Sequence, residues 1–172
     1  FSLSHSQLHL SIISGYMDLK IVVEDREFRV DADKYSKLSD FMRAILSGSF
    51  VESITMSVTL RDVSLEDWAA FHDYLEGEEP LGPDNAEAVY YIADRFGFEQ
   101  ARRDVEALLA QEKKLVQFAE WEEFALRMLY LMNRIKDRRS RMVREKLIST
   151  LERHQINVGK SIQEGLVMYQ YQ

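Results

Sequence analysis

The chain has no cysteine, which excludes disulfides, thiolate zinc sites and cysteine nucleophiles together and leaves the redox compartment unmarked. Proline is nearly absent. Only Pro80 and Pro83 occur, both inside the stretch 77–83, GEEPLGP, the one strong punctuation mark in the sequence. The glycine-rich patterns of chemistry are also missing: no G-x-G-x-x-G, G-x-x-x-x-G-K-[ST] or G-x-S-x-G occurs, so the common phosphate cradles and the nucleophile elbow are gone. No apolar run approaches the ~20 residues that span a bilayer. The segment 8–13, LHLSII, is too short and lacks the basic flank of a signal peptide. The expectation is a soluble protein of the cytoplasm or nucleus without a membrane role. Because the chain opens on Phe1 rather than methionine, further domains outside it stay an open expectation.

Clusters that could do chemistry are scarce among the residues that remain. His5, His9, His72 and His154 are scattered, and only the first two stand four apart, so no metal site and no cofactor is expected. Glu120, Glu122 and Glu123 have nothing nearby to split their pKa values into acid and base roles, and they read as a solvated helix surface. This is not the sequence of an enzyme. Arg134, Lys136, Arg138, Arg139, Arg141, Arg144 and Lys146 put seven cations into 13 positions, enough to meet several phosphates. No aromatic is interleaved to stack on bases, which argues against nucleic acid. A solvated helix junction explains the run more simply, with docking onto an acidic surface as the remaining alternative.

Hydrophobic residues make up 46% of the 172 and aromatics 11%, more than a disordered chain carries, so a folded core is expected. Charge divides the chain. Residues 1–111 hold 10 Lys and Arg against 21 Asp and Glu, a balance of −11, whereas 112–172 hold 12 against 8, or +4. A boundary near Ala110-Gln111-Glu112 follows, with 1–17 as an N-terminal segment, 18–110 as the main domain and 111–172 as a helical extension.

Alternation from Lys20 to Val23, the charged turn Glu24-Asp25-Arg26 and the return through Phe28 and Val30 predict a hairpin. Ser64 and Asp67 form a capping-box pattern ahead of Trp68, Phe71 and Leu75, which share one helix face. Val89, Ile92, Ala93 and Phe96 repeat that spacing, and Gly97 is placed to end their helix. Trp121, Phe124, Met128, Leu131 and Ile135 form one stripe, and Phe118, Ala125, Leu129 and Met132 a neighbouring one. A helix at 114–136 is therefore apolar over more than half its circumference. It either packs between the main domain and a helix at 140–154 or keeps part of its face for a partner or a second copy.

The order of residues in 18–60, DLKIVVEDREFRVDADKYSKLSDFMRAILSGSFVESITMSVTL, resembles the BTB/POZ superfamily, which includes Elongin C and the potassium-channel tetramerisation domain. The matching positions are Asp18 before the first strand, Phe28 in the second, Ser39 two residues before Phe41, and Ile45-Leu46 at the end of that helix. SGSFVES at 47–53 is similar to the loop that follows. VTLRDVSLEDWAAFHDYLEGE at 58–78 and NAEAVYYIADRFGFEQARRDVEALL at 85–109 resemble the later units, so the likeness covers about 18–110. The resemblance implies an α+β fold, a small sheet flanked by helices, with an all-helical C-terminal extension.

It also implies a noncatalytic protein-interaction module. Cullin adaptors of the family place a hydrophobic residue, any residue and a glutamate in that loop, and Phe50-Val51-Glu52 fits. Phe50 and Glu52 are thus the implied cullin-binding residues of an adaptor that brings a substrate to a cullin-RING ubiquitin ligase. The alternative keeps Phe50 under the loop as core, with Glu52 capping the next strand. A homo-oligomerising scaffold or transcriptional-regulator domain is the second functional reading. It would use Leu8, Leu10, Ile12 and Ile13 as an exchanged helix, together with Asp18 and the 114–136 helix. Many dimeric members carry His-Arg after the second strand, the arginine pairing with the aspartate before the first; here Asp31 and Ala32 stand there. A pathogen mimic of a host ligase adaptor would use the same surface. The client is not legible.

Overall fold

Leu19, Ile21 and Val23 are fully buried and alternate with the outward-facing Lys20 and Val22, because successive side chains of a strand point to opposite faces. The computed structural model describes residues 17–48, 50–135, 140–156 and 158–159. Strand β1 (Asp18–Val23) turns at Glu24-Asp25 into β2 (Arg26–Asp31), antiparallel to it with Ile21 opposite Phe28. Glu24 adopts φ 53°, the left-handed geometry that a two-residue hairpin turn requires. On its other side β1 pairs in parallel with β3 (Ser57–Leu60), giving the order β2-β1-β3. A parallel pair needs a crossover rather than a hairpin. Here it is supplied by α1 (Ala32–Leu38), α2 (Asp40–Ser47) and α3 (Val51–Thr55).

Capping side chains set the helix boundaries. The Asp31 carboxylate accepts from the Asp33 and Lys34 amides at 2.9 and 3.1 Å and so starts α1. Ser39 ends α1 and begins α2. Its amide donates to the Tyr35 carbonyl, while its Oγ accepts from the Met42 amide at 3.0 Å and donates to the Phe96 carbonyl at 2.6 Å. Helix α4 (Leu65–Glu76) starts at Ser64, whose Oγ accepts from the Asp67 amide and donates to the Asp67 carboxylate, so the expected pair caps the helix through the hydroxyl. Gly77 at φ 79° closes α4, and Gly97 at φ 69° closes α5 (Ala86–Phe96). Between them the side chain of Asn85, itself buried, accepts from the Gly82 amide and donates to the Pro80 carbonyl, fixing the GEEPLGP loop.

Aromatic contacts join the sheet to the helices. Phe28 meets Trp68 edge-on, Trp68 meets Phe71, Phe71 meets Phe98 at 4.8 Å between centroids, and Phe98 meets Tyr35. Geometry of that kind adds about 0.5–1.5 kcal/mol per pair beyond the burial itself. After α6 (Glu99–Ala110) the helix breaks at Gln111 and continues as the short α7 (Glu112–Leu115).

The long apolar helix is shorter than its sequence pattern: α8 runs Trp121–Ile135, not from 114, because Glu120 takes φ 52° and turns the chain at residues 116–120. Both stripes face inward. Trp121, Phe124, Ala125, Met128, Leu129 and Met132 are buried as α8 packs between α5 and α9 (Arg141–Arg153). The two-sided burial is therefore met within the chain. Buried side chains form one continuous cluster from Leu19 to Leu151, so the C-terminal helices share the core of the sheet-bearing part. Among the described residues no helix is long and apolar enough to cross a membrane.

Candidate functional site

Helix α2 buries only Met42 completely; Phe41 remains partly exposed with its ring 5.2 Å from that of Phe96, and Ile45 and Leu46 are half-buried. Beyond it, the stretch read from sequence as a loop contains α3, with Phe50 at its N-cap and Glu52 in its first turn. This single turn is held by its backbone and its own hydroxyls. Ser53 Oγ lies 2.8 Å from the Gly48 carbonyl and 2.7 Å from that of Phe50, and Thr55 Oγ1 donates to the Val51 carbonyl. Met56 at φ 49° then swings the chain into β3.

No α3 residue is buried. Phe50 is 55% exposed, Val51 69% and Ile54 79%, so the turn presents its apolar side chains to water. Phe50 is therefore not a core residue folded beneath the loop. Its ring lies over Gly48, where an added Cβ would come within 2.6 Å of it, so the absent side chain at 48 makes room for the ring. Glu52 is half-buried on the side of α3 that faces the sheet, in a groove with Lys20, Thr55, Ser57, Thr59 and Arg61. Three exposed apolar groups and one carboxylate thus stand side by side on α3.

Asp18, the other candidate within the described residues, opens β1 opposite Asp31. Its carboxylate is 3.8 Å from Arg29 Nη1 and both side chains are largely exposed, a pair of little energetic weight. Asp31 is occupied in capping α1, and Ala32 is buried behind it. Leu8, Leu10, Ile12 and Ile13 lie outside the described residues, as do His5 and His9. His72 sits against the Phe28 ring and His154 against Trp121. In the basic run, Arg141 donates to Glu145 at 2.7 Å, Arg144 donates to the Met132 carbonyl, and residues 136–139 lie outside the described set. Among the described residues no cluster of histidines and carboxylates is arranged to hold a metal.

One polar cluster escaped the sequence reading. Arg102 is 4% exposed and donates to both Glu99 oxygens, at 3.1 and 2.7 Å, and to Glu106. Ser140 donates to Glu106 Oε1 at 2.6 Å and lies 2.5 Å from the Tyr90 hydroxyl, which ties the start of α9 to α5 and α6. Desolvating such ions is tolerated only when most of their hydrogen-bonding capacity is met, as it is here. Hydrogen bonding to Arg102, with a further contribution from Arg103, holds the Glu99 carboxyl below the usual glutamate range. The i,i+3 and i,i+4 spacing of Glu99, Arg102 and Glu106 was visible in sequence but reads as ordinary surface pairing. Only the arrival of Ser140 from 38 residues downstream makes it an internal joint.

The BTB (Tramtrack and Bric a brac) domain of human gigaxonin is a similar solved structure, with a TM-score of 0.43 and 18% identity, covering 61% of this chain and 93% of that one. A comparison with curated proteins gave no match. The BTB/POZ domain family model matches residues 12–113. With more than half of its length so matched, the chain belongs to the BTB/POZ domain family, a class of protein–protein interaction modules.

Proposed function

We propose that this chain is a noncatalytic adaptor whose α3 face binds a cullin and so brings a substrate to a cullin-RING ubiquitin ligase. The observation that supports this most is the exposure of Phe50, Val51 and Ile54 on a helical turn that contributes nothing to the core, with Glu52 beside them. Leaving three large apolar side chains in water stabilises nothing in the free domain. Covering them returns about 25 cal/mol for each Å² removed from water. Phe50 acts as the anchor in a partner groove, and Glu52 accepts hydrogen bonds at the rim and fixes the register.

The test is a pull-down with purified cullin N-terminal domains, using the full chain and its Phe50→Ala, Glu52→Ala double variant. Capture should vanish while the thermal melt stays within about 2 °C of the parent, because neither residue is in the core. Capture that persists at parental strength removes the mechanism. The competing homo-oligomeric reading depends on residues 1–17, Asp18 and the 114–136 helix, and a mass that does not rise with concentration in light scattering counts against it. Asp31 is used as a helix cap and Ala32 lies in the core, and the ion-pair partner of Asp18 among the described residues is the exposed Arg29 at 3.8 Å.

A further inference from the structure

Val51 belongs to two surfaces. On one side it continues the apolar ridge of Phe50 and Ile54, and on the other it lines a groove of about 660 Å³ between α3 and the outer face of the sheet. The strand pattern composes that groove. Val58 and Leu60 point into the core, so Ser57, Thr59 and Arg61 fall on the outer face, and the parallel register sets Lys20 of β1 beside Ser57. The charged lining is two cations, Lys20 and Arg61, against the single carboxylate of Glu52. Residues 1–111 carry a net −11, and within that acidic part the groove sets two cations beside one carboxylate. Lys20 already pairs with Glu27 at 3.0 Å in an exposed bridge, whereas the Arg61 guanidinium has no ion-pair partner among the described residues.

We propose that this groove receives an acidic side chain of the same partner segment that covers the α3 ridge, so that the occupant is an amphipathic helix with a carboxylate flanking its apolar face. The proposal rests on the reading of α3 as the partner-binding face and adds the charge of what binds there. Charge complementarity carries it. An apolar ridge bordered by an unpaired guanidinium and three hydroxyls, those of Thr55, Ser57 and Thr59, matches a helix whose Asp or Glu lies one turn from its apolar anchors. The planar fork of Arg61 suits a carboxylate better than an ammonium would.

Association of a purified cullin N-terminal domain with the immobilised full chain, measured at low and high salt, tests this. Arg61→Glu should slow association about tenfold at low salt and flatten its salt dependence, and Arg61→Lys should keep most of the rate. Arg61 is exposed and its side chain supports no other element, so circular dichroism of both variants should match the parent. If Arg61→Glu associates within about twofold of the parent at both salts while Phe50→Ala binds weakly, the groove inference falls and the α3 reading stands. If the parent itself fails to bind, both fall together.

Discussion

At Gly97 one backbone angle decides the residue. Its φ of 69° is open to glycine and costly to other L-residues, while an added Cβ would meet nothing nearer than Asp40 at 3.5 Å. Space is not the constraint. Gly97→Ala should lower stability by about 1 kcal/mol, read as a shift in urea midpoint with the slope unchanged. Glu99 sets a pH dependence. Its folded pKa is depressed, chiefly by its hydrogen bonds with Arg102, so its contribution is present above the unfolded value and is lost as pH falls through the folded one. Melts between pH 6 and pH 3 should show a shallower acid decline for Glu99→Gln than for the parent. In the other direction, burial first and the Glu76 charge second push the Tyr35 hydroxyl above its usual range, so it stays protonated where exposed tyrosines ionise. Residues whose role is local were legible in sequence: Gly97, Ser64 and Asp67 act on neighbours within four positions. Arg102 and Ser140 were not, because their meaning depends on a contact across 38 residues.

At the scale of elements, Ser39 joins three helices: its amide closes α1 on the Tyr35 carbonyl, while its hydroxyl caps α2 and donates to the last carbonyl of α5. Ser39→Ala removes the cap and leaves the Phe96 carbonyl short of a donor in a fully buried place, at a cost of about 2 kcal/mol by chemical denaturation. Hairpin, capped helices and apolar stripes could be read because each carries a period or a terminal signal. Helix α3 could not: Val51–Thr55 is five residues, too short for a periodic pattern, and no side chain caps it. The early start expected for α8 failed for a related reason. Phe118 continues the apolar spacing, yet the chain turns at Glu120 through a left-handed conformation that periodicity does not register.

For the whole molecule, the charge contrast between the two parts of the sequence suggests a separate helical extension but does not tell that its helices share the core. Beyond the apolar cluster, Arg127 of α8 donates to Glu87 of α5 at 2.6 Å, and Ser140 reaches Glu106. A chain cut after Ala110 is therefore expected to melt well below the parent, and the intact chain to unfold in one transition by calorimetry. Among the described residues, that shared core leaves α3 as the place where large apolar groups cluster in water, apart from Phe41 on α2, Met142 on α9 and Met17 ahead of β1. The most direct test of the account is isothermal titration of the full chain with a cullin N-terminal domain, alongside the Phe50→Ala, Glu52→Ala variant. The account predicts saturable heat for the parent and none for the variant at the same concentrations, with superimposable melts. Equal affinities for the two chains would contradict it.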